Sequence, residues 1–340
     1  MTALTLLADD ARHAQPGHPE RPARLAAIRH AIAADPVLAA LPRLSGGPVS
    51  RRALERIHDP AYLNLVETFC DRGGGDLDVD TYATPDSLRV ATEACGNVLA
   101  LVDAVCRGEA SNGFALGRPP GHHARPAQAM GFCIVSNVAV AARHAQAEHR
   151  ADRVLVVDLD VHHGNGTQEA FHDDPSVLFV STHQADIYPG TGAFDDVGVG
   201  AGAGFTVNLP VPAETGDELA GLVRAVLPPL ADRFRPDLVL LSFGADAHRL
   251  DPLAGLEMSV IGLAQAAGVV QEVADVHADG RLVVTLEGGY HLDALAASVI
   301  AVLRRLVDPA APIDDPFGPT ARPAQDLGPL AEAARQRHGL

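Results

Sequence analysis

The sequence predicts an α/β protein with a mostly parallel central sheet covered on both faces by helices. From about residue 110 onward, short apolar runs alternate with segments of helical periodicity, which is the pattern of parallel β-α units. Each apolar run ends in glycine, proline or polar residues, as a buried strand does at the edge of a sheet. The predicted strands are 113–117, 153–157, 177–180, 238–243 and 282–286.

The predicted helices lie before and between these strands. Apolar residues recur three and four positions apart in them, as on the buried face of a helix. The segments are 25–33, the stretch after residue 51, 87–107, 137–149, 217–233, 260–277 and 293–305. The glycine-rich stretch 198–205 is interpreted as a plain loop, because a nucleotide-binding loop requires a strand before it and a helix after it.

The composition is that of a globular protein and excludes several kinds of partner. Hydrophobic residues make up 47% of the chain and charged residues 20%. The formal net charge of −17 argues against direct nucleic-acid binding, which needs a basic face. No apolar run approaches the roughly 18 residues that span a membrane. The N-terminus lacks the features of a signal peptide, so we expect a cytoplasmic protein without membrane contact.

The segment VLVVDLDVHHGNGTQ, residues 154–168, is the most informative stretch of the chain. Alternate side chains of an extended segment share a face, so Asp158, Asp160 and His162 are expected to point the same way. Carboxylate and imidazole ligands suit a catalytic Zn²⁺, with Fe²⁺, Co²⁺ or Mn²⁺ as alternatives. A solvated strand end with capping aspartates is the other interpretation, and it is disfavoured because the other strands also end in reactive side chains.

The carboxyl ends of parallel strands meet at one edge of a sheet, where ligands bind. Asp246 follows the strand 238–243 and is therefore the expected third metal ligand beside Asp160 and His162. The tandem pair His122 and His123 follows a Pro-Pro turn at the end of another strand and is predicted to supply a general base.

Three further side chains are expected to assist at this edge. Asp158 and Asn165 are the nearest candidates in sequence to hold the histidine rings. Tyr290, after two glycines, is expected to donate its hydroxyl to the oxyanion of a reaction. The four cysteines contain no Cys-x-x-Cys pair, so we expect reduced thiols rather than a thiolate zinc site.

Eight motifs occur along the chain in a fixed order. They are HPERPARL (18–25), RPPGHHA (118–124), GFC (131–133), DLDVHHGNGTQ (158–168), STH (181–183), YPGTG (188–192), GADAHRLDPL (244–253) and LEGGY (286–290). Together they resemble the zinc-dependent histone deacetylase superfamily, which includes bacterial amidohydrolases and acetylpolyamine amidohydrolases. The resemblance implies the three-layer α/β/α arginase/deacetylase fold.

The resemblance also implies a role for each matching position of the catalytic centre. Asp160, His162 and Asp246 match the zinc ligands of the family. His123 matches the histidine that acts as general base and acid, and His122 matches the histidine with a mainly electrostatic role. Asp158 matches the partner of His122, and Asn165 matches the partner of His123 in the class II branch. Tyr290 matches the catalytic tyrosine.

Two more groups follow from the same resemblance. A structural K⁺ is expected at Asp158, Ser181 and the backbone carbonyls of Asp160, His162 and Thr182. Substrate contacts are expected from a rim aspartate and from residues of a narrow acyl-lysine tunnel. These predicted substrate-binding residues are Asp80, Gly131, Phe132, Tyr188, Leu253 and Gly289.

Two departures from the family bear on the substrate. Polyamine-preferring members tend to carry a glutamate in the stretch where this chain has Leu253, and a long insertion before the histidine pair that this chain lacks. Both features favour acyl-lysine in a peptide. Ile134, Val135 and Ser136 stand where relatives often have aromatic residues, so the foot of the pocket is hypothesised to admit acyl groups longer than acetyl.

The sequence therefore predicts a zinc-dependent amidohydrolase that removes acetyl or longer acyl groups from lysine side chains. An acetylpolyamine or other small acyl-amine amidohydrolase is the alternative, and a non-catalytic acyl-lysine binding protein is a third possibility. Residues 1–310 are predicted to form a single catalytic domain, and 311–340 a proline-rich extension with a short terminal helix. The pattern leaves open the acyl length, the physiological substrate, the metal used in the cell and whether the chain forms a homo-oligomer.

Overall fold

A computed structural model describes residues 1–8, 10–320 and 322–340 and contains an eight-stranded parallel sheet. The strand order is β2-β1-β5-β10-β9-β6-β7-β8, and every neighbouring pair in it is parallel. The strands are β1 (Thr2–Leu6), β2 (Arg43–Leu44), β5 (Asn112–Leu116), β6 (Val154–Asp158), β7 (Val177–Gln184), β8 (Thr206–Val211), β9 (Leu238–Phe243) and β10 (Leu282–Leu286). A separate antiparallel pair consists of β3 (Gly75–Asp76) and β4 (Tyr82–Ala83).

Helices cover both faces of the sheet. They are α1 (Ala23–Ala34), α2 (Pro36–Ala39), α3 (Arg51–Leu54), α4 (Pro60–Asp71), α5 (Ser87–Cys106), α6 (Asn137–His149), α7 (Asn165–Phe171), α8 (Glu218–Phe234), α9 (Val260–His277), α10 (Leu292–Val307) and α11 (Gly328–His338). None of the helices in the described ranges combines the length and apolarity needed to cross a membrane.

Successive side chains of the central strands enter two different cores. In β6, Leu155 and Val157 pack with residues of α1, α8, α9 and α10 on one face of the sheet. Val154 and Val156 pack with residues of α4, α5 and α6 on the other face. Because each strand is buried on both faces, its sequence is an almost continuous apolar run. The predicted three-layer α/β/α arrangement is confirmed.

The structure contains an edge strand that the sequence interpretation missed. The stretch 198–205 does form a loop, with a short 3-10 turn at Gly200–Gly202. It leads directly into β8, which pairs with β7 at the end of the sheet. Asn208 and Pro210 interrupt the apolar pattern of β8, and an edge strand tolerates them because one of its sides is unpaired.

The C-terminal segment folds back onto the main body. The terminal helix α11 contacts α8, where the Arg335 guanidinium donates a hydrogen bond to the carbonyl of Ala225 at 3.0 Å. Ala331 and Ala334 of the same helix belong to the core on that face of the sheet. The division of the chain at residue 310 stays a prediction.

Candidate metal centre and active site

The predicted functional residues follow the carboxyl ends of the strands, at one edge of the sheet. Strand β6 ends at Asp158, so the segment that carries Asp160 and His162 is a turn rather than a continued strand. The expectation that these three side chains share one face of an extended segment is therefore wrong. Asp160 and His162 lie with Asp246 of the loop after β9, and the His122 ring lies between Asp158 and Asp160.

Asp160, His162 and Asp246 form a buried group with the geometry of a metal site. Their potential ligand atoms all lie within 4.8 Å of one another. His162 Nδ1 lies 3.2 Å from Asp160 Oδ1 and 3.4 Å from Asp246 Oδ2. The two aspartates are only 1% exposed, so their charges are removed from water. Buried charges of this kind are paired or coordinate a metal ion.

Backbone groups hold the two carboxylates from behind. Gly288 donates its N–H to Asp160 Oδ2 at 2.8 Å, and Val161 donates its N–H to Asp246 Oδ1 at 3.2 Å. A Cβ at Gly244 would lie 2.1 Å from Asp160 Oδ2, and one at Gly288 would lie 1.9 Å from Asp246 Oδ2. The carboxylates therefore occupy space that a side chain would fill, and the glycines are required by close approach rather than by flexibility.

The charges of this group favour a bound cation. Burial and the neighbouring Asp160 carboxylate raise the pKa of Asp246 to about 7. Although burial opposes it, contact with the two carboxylates raises the pKa of His162 to about 10. Asp246 Oδ2 is buried and has no hydrogen-bond partner among the described residues. This unpaired oxygen of Asp246 faces the Asp160 carboxylate and the His162 imidazole, and such a group fits a divalent metal ion with N and O ligands.

The histidine pair lies beside this group, and each ring has its own partner. His122 Nδ1 is 3.0 Å from Asp158 Oδ2, and His123 Nδ1 is 2.7 Å from Asn165 Oδ1. Burial opposes the charge of His122, but the carboxylates of Asp160 and Asp158 raise its pKa to about 10. Burial and the neighbouring His122 lower the pKa of His123 well below its ordinary value. The two adjacent rings therefore differ in charge.

Glu287 supports the turn that carries the histidine pair, and the sequence interpretation missed this role. Its Oε2 accepts hydrogen bonds from the backbone N–H groups of Gly121 at 2.6 Å and His122 at 3.1 Å. Ser242 donates its hydroxyl to Oε1 at 3.3 Å. Burial raises the pKa of Glu287 to about 7. A glutamate at the end of an otherwise apolar strand was the available signal in the sequence.

Tyr290 is held by two groups that the sequence interpretation did not assign. Asp251 Oδ2 accepts the backbone N–H of Tyr290 at 2.6 Å and that of His291 at 3.3 Å. The guanidinium carbon of Arg24 lies 4.9 Å from the centre of the tyrosine ring, and Arg24 Nε donates to the carbonyl of Gly289 at 2.7 Å. Gly289 has φ +115°, which an L side chain rarely adopts. Backbone and ring are thus both fixed next to the metal group.

Aromatic rings stand between the histidine pair and the surface. The Phe132 ring is 5.6 Å from that of Tyr290, and the Tyr188 ring is 5.1 Å from that of His123, both edge to face. Gly131 is so close to the His123 ring that a Cβ there would lie 2.3 Å from it. The three predicted tunnel residues are therefore brought together at the metal group.

The two predicted rim residues have different surroundings. Asp80 Oδ1 accepts the backbone N–H of Gly131 at 3.0 Å and the hydroxyl of Thr81 at 2.8 Å. Burial raises the pKa of Tyr188 above its ordinary value, and the Asp80 carboxylate adds to this shift. Leu253 is 40% exposed, and its N–H donates to Asp251 Oδ1 at 3.0 Å. Asp80 thus orders the tunnel wall, while Leu253 presents an apolar side chain to solvent.

A family profile described as Histone deacetylase domain matches residues 18–306. The chain belongs to the histone deacetylase family. This membership confirms the predicted superfamily, and with it a hydrolytic deacetylase enzyme.

Known members of the family are similar to this chain over most of its length. Histone deacetylase 14, chloroplastic, of Arabidopsis thaliana is 38% identical to this chain. The alignment covers 96% of this chain and 82% of that protein. The histone deacetylase-like amidohydrolase of Pseudomonas aeruginosa is 37% identical over 94% of this chain and 85% of that protein. Polyamine deacetylase HDAC10 of Homo sapiens is 39% identical over 99% of this chain but 51% of that protein.

The fold comparison agrees with the family assignment. A crystal structure described as the HDA15 HD domain superposes with a TM-score of 0.84 and 38% sequence identity. The superposition covers 90% of this chain and 91% of that domain. The predicted arginase/deacetylase fold is confirmed.

The expected K⁺ donors of this deacetylase are also neighbours in the sheet. Asp158 of β6 pairs in register with Ser181 of β7. Asp158 is fully buried, and burial raises the pKa of its carboxyl although His122 opposes the shift. Ser181 Oγ lies 3.0 Å from His183 Nδ1. Thr182 follows Ser181 in the same strand, and its expected donor is the backbone carbonyl, because its side chain points to the other face of the sheet. The K⁺ site stays a prediction.

The residues predicted to line the foot of the pocket, 134–136, are tightly enclosed. Ile134 and Val135 are 0% and 1% exposed and belong to the core that contains α5 and α6. The hydroxyl of Tyr62 donates to the carbonyl of Ile134 at 2.7 Å. The hydroxyl of Ser136 is buried without a partner among the described residues. The hypothesis that the foot admits long acyl chains stays a prediction.

Proposed function

We propose that the chain is a zinc-dependent amidohydrolase that removes acetyl or longer acyl groups from the ε-amine of lysine in peptides or proteins. The buried group Asp160, His162 and Asp246, placed beside a neutral histidine, carries the proposal. A Zn²⁺ bound there would supply a Lewis acid that acidifies water and polarises the amide carbonyl. Two carboxylate ligands would leave the bound metal with little net positive charge, so it would acidify water only weakly and a protein base is needed as well.

His123 is the proposed base. Because its Nδ1 is hydrogen bonded to Asn165, its Nε2 is the atom free to take a proton from the attacking water. His122, bound to Asp158, stays protonated and stabilises negative charge that develops next to it. The proton on His123 then passes to the departing lysine amine, so His122 and His123 return to their initial protonation states.

Tyr290 is the proposed oxyanion donor. Burial raises the pKa of its hydroxyl well above the ordinary value although Arg24 opposes the shift, and the nearby carboxylates of Asp246 and Asp160 add to it. The hydroxyl therefore keeps its proton and donates a hydrogen bond as the carbonyl oxygen gains negative charge. Hydrogen bonds from the backbone of Tyr290 to Asp251 fix its position before the substrate binds.

An acyl-lysine substrate is supported by the tunnel and its rim. The rings of Phe132 and Tyr188 suit the apolar stem of a lysine side chain. Leu253 at the rim offers no carboxylate to a second ammonium group, as a polyamine would need. A preference for acyl chains longer than acetyl is proposed on the small residues at 134–136 alone.

Hydrolysis of acetylated polyamines is the second candidate function. The net charge of −17 attracts cationic substrates, and a relative named polyamine deacetylase is 39% identical. No direct nucleic-acid or membrane partner is proposed. A structural K⁺ at Asp158 and Ser181, a cytoplasmic location and a possible homo-oligomer belong to the proposal too.

A side-by-side assay tests the proposal. Acyl-lysine peptides from acetyl to long chain and acetylated polyamines are offered to zinc-loaded and metal-stripped protein. Zinc-dependent turnover of the peptides is the expected result, and the preferred chain length tests the foot of the pocket. Preference for polyamines would overturn the lysine assignment. Binding of both substrates without turnover of either would favour a non-catalytic acyl-lysine binding protein.

A matched variant addresses the rim. Leu253→Glu places a carboxylate where a polyamine would carry its second positive charge, so the ratio of polyamine to peptide turnover is expected to rise by about two- to fivefold, the value of one exposed charge pair. Leu250→Glu, at another exposed leucine of the same loop, is the control for added charge alone. An equal change in both variants would contradict the role of Leu253.

A further inference from the structure

A second group of potential metal ligands lies away from the active site. It consists of Asp103 on α5 with His144 and His149 on α6, and its ligand atoms all lie within 4.8 Å of one another. Both α5 and α6 end shortly before a strand begins, so their C-terminal ends lie at the amino edge of the sheet. The predicted catalytic residues lie at the carboxyl ends of the strands, which form the opposite edge of the sheet.

Two imidazoles converge on one carboxylate oxygen in this group. His144 Nε2 lies 2.7 Å and His149 Nε2 lies 2.6 Å from Asp103 Oδ1. The two rings are 5.7 Å apart at an interplanar angle of 67°, so they approach from different directions without stacking. The ring side chains are 14% and 12% exposed and that of Asp103 is 31% exposed.

The carboxylate of Asp103 is oriented for one ligand bond. Arg107, one turn later on α5, places Nη2 3.5 Å from the other oxygen, Oδ2. This contact leaves Oδ1 directed at the two histidines, as an outer partner orients a monodentate metal ligand.

The spacing fits a tetrahedral ion after small side-chain movements. Metal–ligand distances of about 2.1 Å separate neighbouring ligand atoms by about 3.4 Å in a tetrahedron. The present separations of 2.6 and 2.7 Å are shorter, so the rings must move outward by less than 1 Å to admit an ion. Partly exposed side chains at the ends of two helices allow such a movement.

The open side of the group faces solvent. Asp103 and His144 line a pocket of about 490 Å³ that also contains Glu148 and Arg56. A metal held by three protein ligands needs a fourth position for water, and this pocket supplies the room. The net charge of −17 raises the local concentration of cations.

We propose that Asp103, His144 and His149 form a second transition-metal site that joins α5 to α6. Two imidazoles and one carboxylate without thiolate select Zn²⁺ or an ion of similar softness, such as Co²⁺ or Ni²⁺. The site lies at the opposite edge of the sheet from the active site and joins α5 to the helix that follows the tunnel loop, with one coordination position open to water. Two neutral histidines that only donate hydrogen bonds to Asp103 are the alternative.

Metal counting tests the site on the full chain without a histidine tag. Protein stripped with chelator is reloaded with Zn²⁺, desalted and analysed for metal per chain. The wild type and the control His30→Gln, at an exposed histidine of α1, are expected to hold two equivalents. The double variant His144→Gln/His149→Gln is expected to hold one equivalent and to keep full hydrolytic activity, which also shows that it is folded. One equivalent in the wild type, or equal content in all three proteins, overturns the proposal.

A titration isolates the second site from the catalytic one. In Asp246→Asn, which weakens the catalytic site, Zn²⁺ is titrated by calorimetry and Co²⁺ by its visible absorption. Adding His144→Gln and His149→Gln to this variant is expected to lower the affinity of the remaining site at least tenfold and to abolish the tetrahedral Co²⁺ spectrum. An unchanged affinity and spectrum would assign the bound ion elsewhere and overturn the proposal.

Discussion

Two buried clusters of charged side chains in this deacetylase differ in how their charges are balanced. In the first, Arg118 binds Glu20 through two nearly parallel contacts, Nε to Oε1 at 2.6 Å and Nη2 to Oε2 at 2.5 Å. Its Nη1 donates to the carbonyls of Asp10 at 2.9 Å and His13 at 2.7 Å. In the second, His162 lies between Asp160 and Asp246, and His122 Nε2 lies 3.8 Å from Asp160 Oδ1.

The pKa values express this difference. Although burial opposes it, Arg118 and His13 lower the pKa of Glu20 far below its ordinary value. Burial and Asp160 instead raise the pKa of Asp246 to about 7. The protein's own cations hold Glu20 ionised in the first cluster, whereas in the second they leave the pKa of Asp246 raised, as expected of a place for the proposed metal ion. Structural and catalytic clusters of the same residue types can therefore be told apart by whether the protein balances their charge.

Asp246→Asn is expected to have the largest effect on function. Removing one ligand should lower zinc content after dialysis and reduce kcat/KM by roughly 10³-fold or more, as for residues that act as a unit. Metal analysis and peptide hydrolysis provide the measurements. Asp279→Asn, at an 86% exposed carboxylate, is the control. Unchanged metal content would remove Asp246 from the ligand set.

The same variant sharpens the comparison in metal-free protein. Because the folded-state pKa of Asp246 is raised, the stability that this carboxyl contributes to metal-free wild type is lost as pH rises from about 4 through about 7. Metal-free Asp246→Asn should lose less, so its free energy of unfolding at pH 8 should equal or exceed that of metal-free wild type. A clear loss of stability would contradict the view that the second cluster lacks a counter-charge.

Glu20→Gln is expected to destabilise the fold by about 3–5 kcal/mol, because it removes the closer of the two carboxylates that balance the buried Arg118 guanidinium and leaves Asp10 at 3.3 Å as the other. Urea unfolding at pH 7 measures the change. Since the folded-state pKa of Glu20 is lowered, its stabilisation is present above pH about 4.5 and is lost as pH falls, so the difference from wild type should shrink in acid. Glu272→Gln, in an exposed pair with Arg224, should cost about 0–1 kcal/mol. Equal losses of unfolding free energy in Glu20→Gln and Glu272→Gln would contradict the larger stabilisation expected of the buried pair.

Tyr290→Phe is expected to reduce kcat by roughly 10²–10³-fold, the usual loss of an oxyanion donor, while leaving zinc content and stability close to wild type. This result would separate the tyrosine from the charged cluster beside it. Single-turnover hydrolysis and metal analysis measure the two properties. Nearly full activity in this variant would leave the oxyanion without its proposed donor.

The sequence by itself determined which elements form the sheet and which side chains gather at its edge. Strands such as 238–243 are apolar throughout, and a strand buried on both faces requires this pattern. Asp246 and Tyr290 follow such strands directly, so the topology of a parallel sheet brings them together without further information. The motifs also led to the correct family.

Only the tertiary structure decided how these side chains are held. Glu20 and Arg118 are 98 residues apart, and Asp251 is 39 residues from the tyrosine whose backbone it binds. The end of β6 at Asp158, which redirects Asp160 and His162, likewise depends on pairing with β7 and β9. Local periodicity records whether a residue faces the core. The partner of a buried charge is selected by distant segments of the chain, and no local pattern encodes it.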